Sequence, residues 1–157
     1  FITAVPANLY GPGDNFDPNS GHVVSALMNR LHLAKEANQN IVEVWGSGNP
    51  TRDFFFVDDC VDGLLYLLQN YSSENPINLG TGNEISIKEL AESIARIVRY
   101  QGDLVFDTSK PDGMPRKILD VSKINQTGWS AQTSLNDGLQ ATYEWYLDNV
   151  AGSKVTD

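Results

Sequence analysis

The sequence is poor in cysteine, in cations and in long apolar runs, and each shortage excludes something. One cysteine, Cys60, stands among 157 residues, so no internal disulfide can form and nothing suggests an oxidising compartment. A cytoplasmic setting is the expectation. Eleven Lys and Arg face twenty Asp and Glu, for a net charge of −9 at pH 7. A chain this acidic repels polyanions at long range, which argues against nucleic acid and against an anionic membrane surface as partners. Its longest apolar stretches are a few residues, as in Phe54-Phe55-Phe56-Val57, far below the roughly 20 that a membrane helix requires. Two histidines and a lone cysteine offer no zinc spacing, so no metal is expected. There is no G-x-S-x-G elbow and no P-loop. Gly46-Ser47-Gly48 and Gly80-Thr81-Gly82 each follow a strand-like run, but Thr51 and Ile85 occupy the place of the third glycine of a dinucleotide fingerprint. Both read as tight turns.

What remains is an ordinary globular composition, 41% hydrophobic, in a chain long enough for one domain and a real core. Residues 1–5 read as a buried strand, and 6–21 as a long loop rich in Gly, Pro, Asn and Asp. Val23, Leu27, Leu31 and Ala34 predict a helix over 22–37. Strands are expected over 41–45 and 53–57. A helix capped by Asp58 or Asp59 should follow to about Tyr71, buried through Leu64, Leu65, Leu67 and Leu68. A strand at 76–79 leads to Ser86-x-x-Glu89, a capping box ahead of Leu90, Ile94, Ile97 and Val98. Strands at 104–106 and 118–121 flank a polar loop. Ser134 opens a last helix to about Asn149, and the tail from Ala151 should fray. Strands alternating with helices indicate an α/β fold with parallel pairing.

Three features bear on chemistry. Trp45, before the Gly46-Ser47-Gly48 turn, and Arg52 after it can present a flat apolar face together with a fork of donors, suited to a sugar or base and a phosphate. The same residues also fit a core tryptophan and a surface ion pair of Arg52 with an aspartate. Lys110, Arg116, Lys117 and Lys123 make a local island of positive charge in an acidic chain, or simply a solvated loop. His22, where the long loop meets a helix, can act as acid or base near neutral pH, or merely begin the helix. Asp58, Asp59 and Asp62 suit the positive end of a helix better than a magnesium ion.

The order of motifs resembles the C-terminal half of the extended short-chain dehydrogenase/reductase family. The resemblance lies in Asn8-Leu9-Tyr10-Gly11-Pro12, Trp45-Gly46-Ser47-Gly48, Arg52-Asp53-Phe54, Val57-Asp58-Asp59 and Ile77-Asn78-Leu79-Gly80-Thr81-Gly82. Tyr10 to Phe16, Gly21 to Leu27 and Phe106 to Asp120 resemble more particularly its bifunctional 3,5-epimerase/4-reductases, which act on GDP-4-keto-6-deoxy-D-mannose with NADPH. That resemblance implies an NAD(P)-binding Rossmann-like fold including the small substrate-binding domain. It implies that Pro6, Ala7, Asn8 and Leu9 line the nicotinamide side of an NADP site, with His22 beside the cofactor as the proton donor. It implies that Arg30, Trp45, Arg52 and Asp112 hold the GDP-sugar. Relatives are commonly homodimers. Another NAD(P)-dependent nucleotide-sugar epimerase or dehydratase, or a nucleotide-sugar-binding module without catalysis, are the alternatives.

The family also needs a glycine-rich fingerprint, a serine with Y-x-x-x-K and an epimerisation cysteine. None of the six tyrosines has a lysine four residues on, and Cys60 sits in a leucine-rich stretch that reads as core. With a start at Phe1 on a strand-like run, the expectation is one C-terminal unit, 1–157. Its last Rossmann strands interleave with the substrate domain, the dinucleotide-binding half is absent, and the unit is inactive alone.

Overall fold

The computed structural model describes residues 1–18 and 20–152; from residue 153 the tail expected to fray lies outside them. In chain order the elements are β1 (Ala4–Pro6), β2 (Asn8–Tyr10), α1 (Val23–Glu36), β3 (Ile41–Trp45), β4 (Thr51–Arg52), β5 (Phe54–Phe56) and α2 (Val57–Asn70). There follow β6 (Ile77–Leu79), β7 (Ile85–Ser86), α3 (Ile87–Val98), β8 (Asp103–Asp107), β9 (Arg116–Lys117), α4 (Ser122–Asn125) and α5 (Leu135–Tyr146), which runs on into a π-helical turn, Leu147–Ala151. The α/β expectation holds, and β1–β6, β2–β5 and β3–β8 are all parallel pairs.

Residues 4–10 run almost continuously but change neighbour at Ala7. Before it they pair with β6; after it they pair with β5. The stretch expected as one loop from Pro6 to Gly21 therefore contains a strand. Three residues between Pro and Gly carry too little local signal to reveal a pairing made with residues 54–56.

The three phenylalanines of β5 explain where the cores lie. Successive strand side chains point to opposite faces. Phe54 and Phe56 enter one core, with α1, α3 and α5 around Leu27, Leu31, Leu90 and Ile94. Phe55 enters a second, with Cys60, Leu67, Leu79 and Trp129. β5 is thus a wall buried on both sides, which accounts for its unbroken aromatic run.

α2 departs from expectation twice. Its cap position is Phe56, without a side-chain cap bond, and Asp58 and Asp59 fall in the first turn. Of its leucines only Leu67 is buried, while Leu64, Leu65 and Leu68 are 39%, 55% and 69% exposed. The helix is apolar on two faces, and the second core covers only one of them. The capping box at Ser86 and Glu89 forms as expected, and Ser134 caps α5. The strand expected at 118–121 lies instead at Arg116–Lys117, where it pairs with β4. The strand expected over 53–57 is Phe54–Phe56, with Val57 already in α2, and a separate short strand, Thr51–Arg52, precedes Asp53.

Asp53 is fully buried. Its carboxylate accepts hydrogen bonds from the Thr81 hydroxyl at 2.5 Å, the Thr81 backbone N–H at 3.1 Å and the Gly82 N–H at 3.0 Å. Its carbonyl accepts from the Asn8 side chain at 2.9 Å. A β-carbon on Gly80 would stand 2.5 Å from Asp53 Oδ2, so the turn needs glycine there. Asp53→Ala should cost about 3 kcal/mol of stability, since three donors lose a charged acceptor at once. In a domain of this size that is a melting-temperature drop of about 6–12 °C. A thermal scan showing a shift below 2 °C would refute the role.

Candidate functional site

A cleft of about 600 Å³ opens where residues 4–10 switch neighbours. Ala7, Asn8, Leu9, Asp14, His22 and Arg52 all line it. Pro6 is exposed and is not part of the lining.

The loop from Gly11 to Gly21 is held by its own polar side chains. Asp14 Oδ1 accepts from the Asn15 N–H at 2.7 Å, Asn15 Oδ1 from the Asp17 N–H at 3.0 Å, and Asp17 Oδ1 from the Ser20 N–H at 2.8 Å. These are local turns of the kind Asn and Asp form readily. Phe16 anchors the loop in the first core. His22 stands at the cap position of α1, but its ring makes no capping bond. The ring is 81% exposed, and Nδ1 lies 3.4 Å from Asp14 Oδ1.

A second group forms around Trp45, which is 62% exposed and not the core residue that one sequence reading allowed. The Arg30 guanidinium lies 5.8 Å from the ring centroid and the Lys110 ammonium 5.9 Å. Both fall within cation–π range. Arg30 is aimed there by donating to the carbonyls of Glu43, at 2.9 Å, and Pro18. Asp112 brings in the polar loop. Its two oxygens accept from the Ser47 N–H at 2.8 Å and the Ser47 hydroxyl at 2.7 Å. Gly46 adopts φ +86°, and a β-carbon there would sit 2.4 Å from Asp112 Oδ1. The turn after Trp45 is therefore shaped to receive that carboxylate.

Arg52 joins the two groups. One of its terminal nitrogens donates to the carbonyls of Thr51 and Met114, both at 2.7 Å, while the residue also lines the cleft. Its partners are carbonyls rather than the aspartate that the sequence also allowed. The positive island is smaller than its residue count. Arg116 is engaged by Glu84 through bonds of 2.9 and 3.0 Å, and Lys123 donates to the Pro76 carbonyl. Lys110 is the member that reaches Trp45. Asp59 and Asp62 serve the fold: Asp59 accepts from the Gln132 and Thr133 N–H groups, and Asp62 from the Trp129 indole. Sequence reasoning assigned no role to Asp14 or Asp53, although both stand inside the motifs it singled out.

The model of the NAD dependent epimerase/dehydratase family matches residues 1–80 of this sequence. The chain belongs to that family. It is 50% identical over 153 residues to the Probable GDP-L-fucose synthase 1 of Oryza sativa subsp. japonica, which covers 98% of this chain and 47% of that protein. It is 52% identical over 151 residues to the GDP-L-fucose synthase of Sinorhizobium fredii, with 96% and 48% covered. A crystal structure of a GDP-L-fucose synthetase from Naegleria fowleri bound to NADP matches with a TM-score of 0.91 at 35% identity, over 96% of this chain and 48% of that one. The chain spans about half the length of the curated relatives it matches. The architecture of this epimerase/dehydratase family member is the Rossmann-like extended short-chain dehydrogenase/reductase fold that the motifs implied. Among the described residues no helix is long and apolar enough to cross a membrane.

The Asp112 carboxyl is held below the usual aspartate range, first by the Ser47 hydroxyl and then by the Ser47 N–H. A lowered folded value means that the latch contributes fully above the ordinary unfolded value of about 3.9. The contribution is lost as pH falls through the lower folded value. Amide exchange at Ser47, expressed as a protection factor, should be flat from pH 7 to about 4 and decline below that range. Asp112→Ala should show the low protection already at pH 7. Equal protection in both proteins would show that the latch does not hold the turn.

Proposed function

We propose that this chain supplies the substrate-gripping part of an enzyme that converts GDP-4-keto-6-deoxy-D-mannose to GDP-L-fucose by 3,5-epimerisation and 4-reduction. The dinucleotide fingerprint and the Tyr/Lys reduction pair would be carried by further sequence, and the setting would be cytoplasmic. The observation that carries the reading is the convergence of Ala7–Leu9, His22 and Arg52 on one cleft, with Trp45, Arg30 and Lys110 grouped at the end of the strand before the turn that leads to Arg52. The names of the relatives supply the substrate class.

The chemistry suits these side chains. A ketone at C4 acidifies the protons on C3 and C5; once a base on the complementary half has removed one, an imidazole at the cleft can return a proton to that carbon from the opposite face. His22 is that group in this reading. Arg52 grips the diphosphate as a fork of donors. Trp45 offers its flat face to the base or sugar, and Arg30, Lys110 and Asp112 frame it. Ala7, Asn8 and Leu9, which line the cleft together with His22, fit the nicotinamide end of NADP. The two glycine turns do not fit its diphosphate, because each lacks the third glycine. NADPH, when bound, supplies the hydride that reaches C4. With those pieces missing from the sequence, this chain by itself is expected to be inactive as a reductase.

Two outcomes test the reading in the chain joined to a complementary dinucleotide-binding half. Arg52→Ala should weaken GDP-sugar binding about 10–100-fold by calorimetry, the worth of a charged hydrogen-bonded pair, with NADPH affinity within about twofold. Equal loss of both ligands sinks the assignment. His22→Gln should slow exchange of the C3 and C5 protons with deuterated solvent by about 100-fold. Its effect on hydride transfer to an already epimerised ketone should be smaller.

A further inference from the structure

Asp14 lines the cleft and carries a buried carboxylate oxygen that the fold leaves unpartnered. Its side chain is only 16% exposed, although it sits on a surface loop. Oδ1 caps the Asn15 N–H and faces His22 Nδ1. Oδ2 is buried and, among the described residues, has no hydrogen-bond partner. The turn alone does not require this residue, because an asparagine offers the same Oδ1 to the Asn15 N–H. A carboxylate adds negative charge and a second acceptor, and a buried acceptor left unmatched is a cost that natural structures seldom keep without a use. The loop that carries it is fixed by Phe16 in the core and by the Asn29 side chain, which donates to the Phe16 carbonyl at 2.6 Å. The acceptor is therefore held still while the ring it faces is exposed.

We infer that Asp14 is a positioning residue for His22: it accepts a hydrogen bond from Nδ1–H, fixing the tautomer, so that Nε2 takes up a proton from solvent and passes it to the sugar carbon. A carboxylate can only accept, so a hydrogen bond between the pair places the ring proton on Nδ1. The logic is that of a buried carboxylate orienting a catalytic imidazole, a pairing that recurs on unrelated folds. At 3.4 Å the bond is long, as such bonds commonly are before substrate closes the site. The inference rests on the role proposed above for His22.

Nitrogen-resolved NMR of the His22 ring, in the chain as it stands at pH 8, reads the tautomer directly. The Nδ1–H form should dominate, and Asp14→Ala should shift the ratio toward Nε2–H by about threefold or more. An identical ratio in the two proteins overturns the inference. Because the pair is exposed on the histidine side, Asp14→Asn should leave the melting temperature within about 2 °C. In the chain joined to a complementary half, Asp14→Ala, which removes the acceptor, should slow C3/C5 proton exchange about tenfold or more, with KM for the GDP-sugar within about twofold. His22→Gln separates the two claims. If it leaves exchange unchanged, the role of His22 falls, and the tautomer ratio still decides the pairing. If it slows exchange while Asp14→Ala does not, the positioning role alone is overturned.

Discussion

A buried carboxylate, Asp53, sets the spacing of the strands that floor the cleft. Taking a charge out of water costs several kcal/mol unless hydrogen bonds replace the lost hydration. Here the replacement comes entirely from the Thr81–Gly82 turn, and the backbone of the same residue receives Asn8. One residue thereby fixes the β4–β5 junction, the turn after β6 and the strand bearing Ala7, Asn8 and Leu9. The cleft exists because residues 4–10 can leave β6 for β5 at Ala7, and Asp53 holds both destinations together. An arginine directly before this aspartate then has its backbone direction set by a buried neighbour, which is how an exposed side chain acquires a fixed address.

Charge follows the same division between anchored and available groups. The chain is strongly acidic, yet Arg30, Arg52 and Lys110 lie around Trp45 and the cleft. Two neighbouring cations are committed elsewhere. Arg116 is gripped by Glu84, whose carboxyl is held low chiefly by that guanidinium, and Lys123 lies over Tyr71. A count of lysines and arginines in the loop therefore overstates its field. What matters is that the Asp112–Ser47 and Arg116–Glu84 attachments pin the middle of the loop and its far end and leave Lys110 beside the indole.

The parts legible in the sequence were those encoded locally. The Ser86–Glu89 box, the Ser134 cap, the α1 period and the β3 run each rest on residues a few positions apart, and each formed as expected. The misreadings rest on distant partners. β2 is a strand because of Phe54–Phe56, and β9 pairs at Arg116 because of Thr51. The leucines of α2 looked uniformly buried because apolarity says that a face wants cover, not that this chain provides it. For the site, motif order drew attention to His22, Arg30, Trp45, Arg52 and Asp112. It could not reveal that they form two groups bridged by Arg52. Asp14 escaped notice because a carboxylate in an Asn/Asp-rich turn looks like any other turn former until its burial is known.

The placement of Asp14 and His22 is finally a matter of packing at the other end of the chain. The Tyr146 hydroxyl on α5 donates to Asn29 Oδ1 at 2.8 Å, and Asn29 Nδ2 donates in turn to the Phe16 carbonyl. Burial pushes the Tyr146 hydroxyl up to about 12, so it stays a neutral donor at every physiological pH. Phe16 itself packs against Tyr146 and Trp145. This relay runs from the last helix through α1 to the loop, with every polar atom in it matched, and such satisfied networks enforce a single geometry. An exposed imidazole on such a mount follows a loop whose Phe16 is fixed in the core.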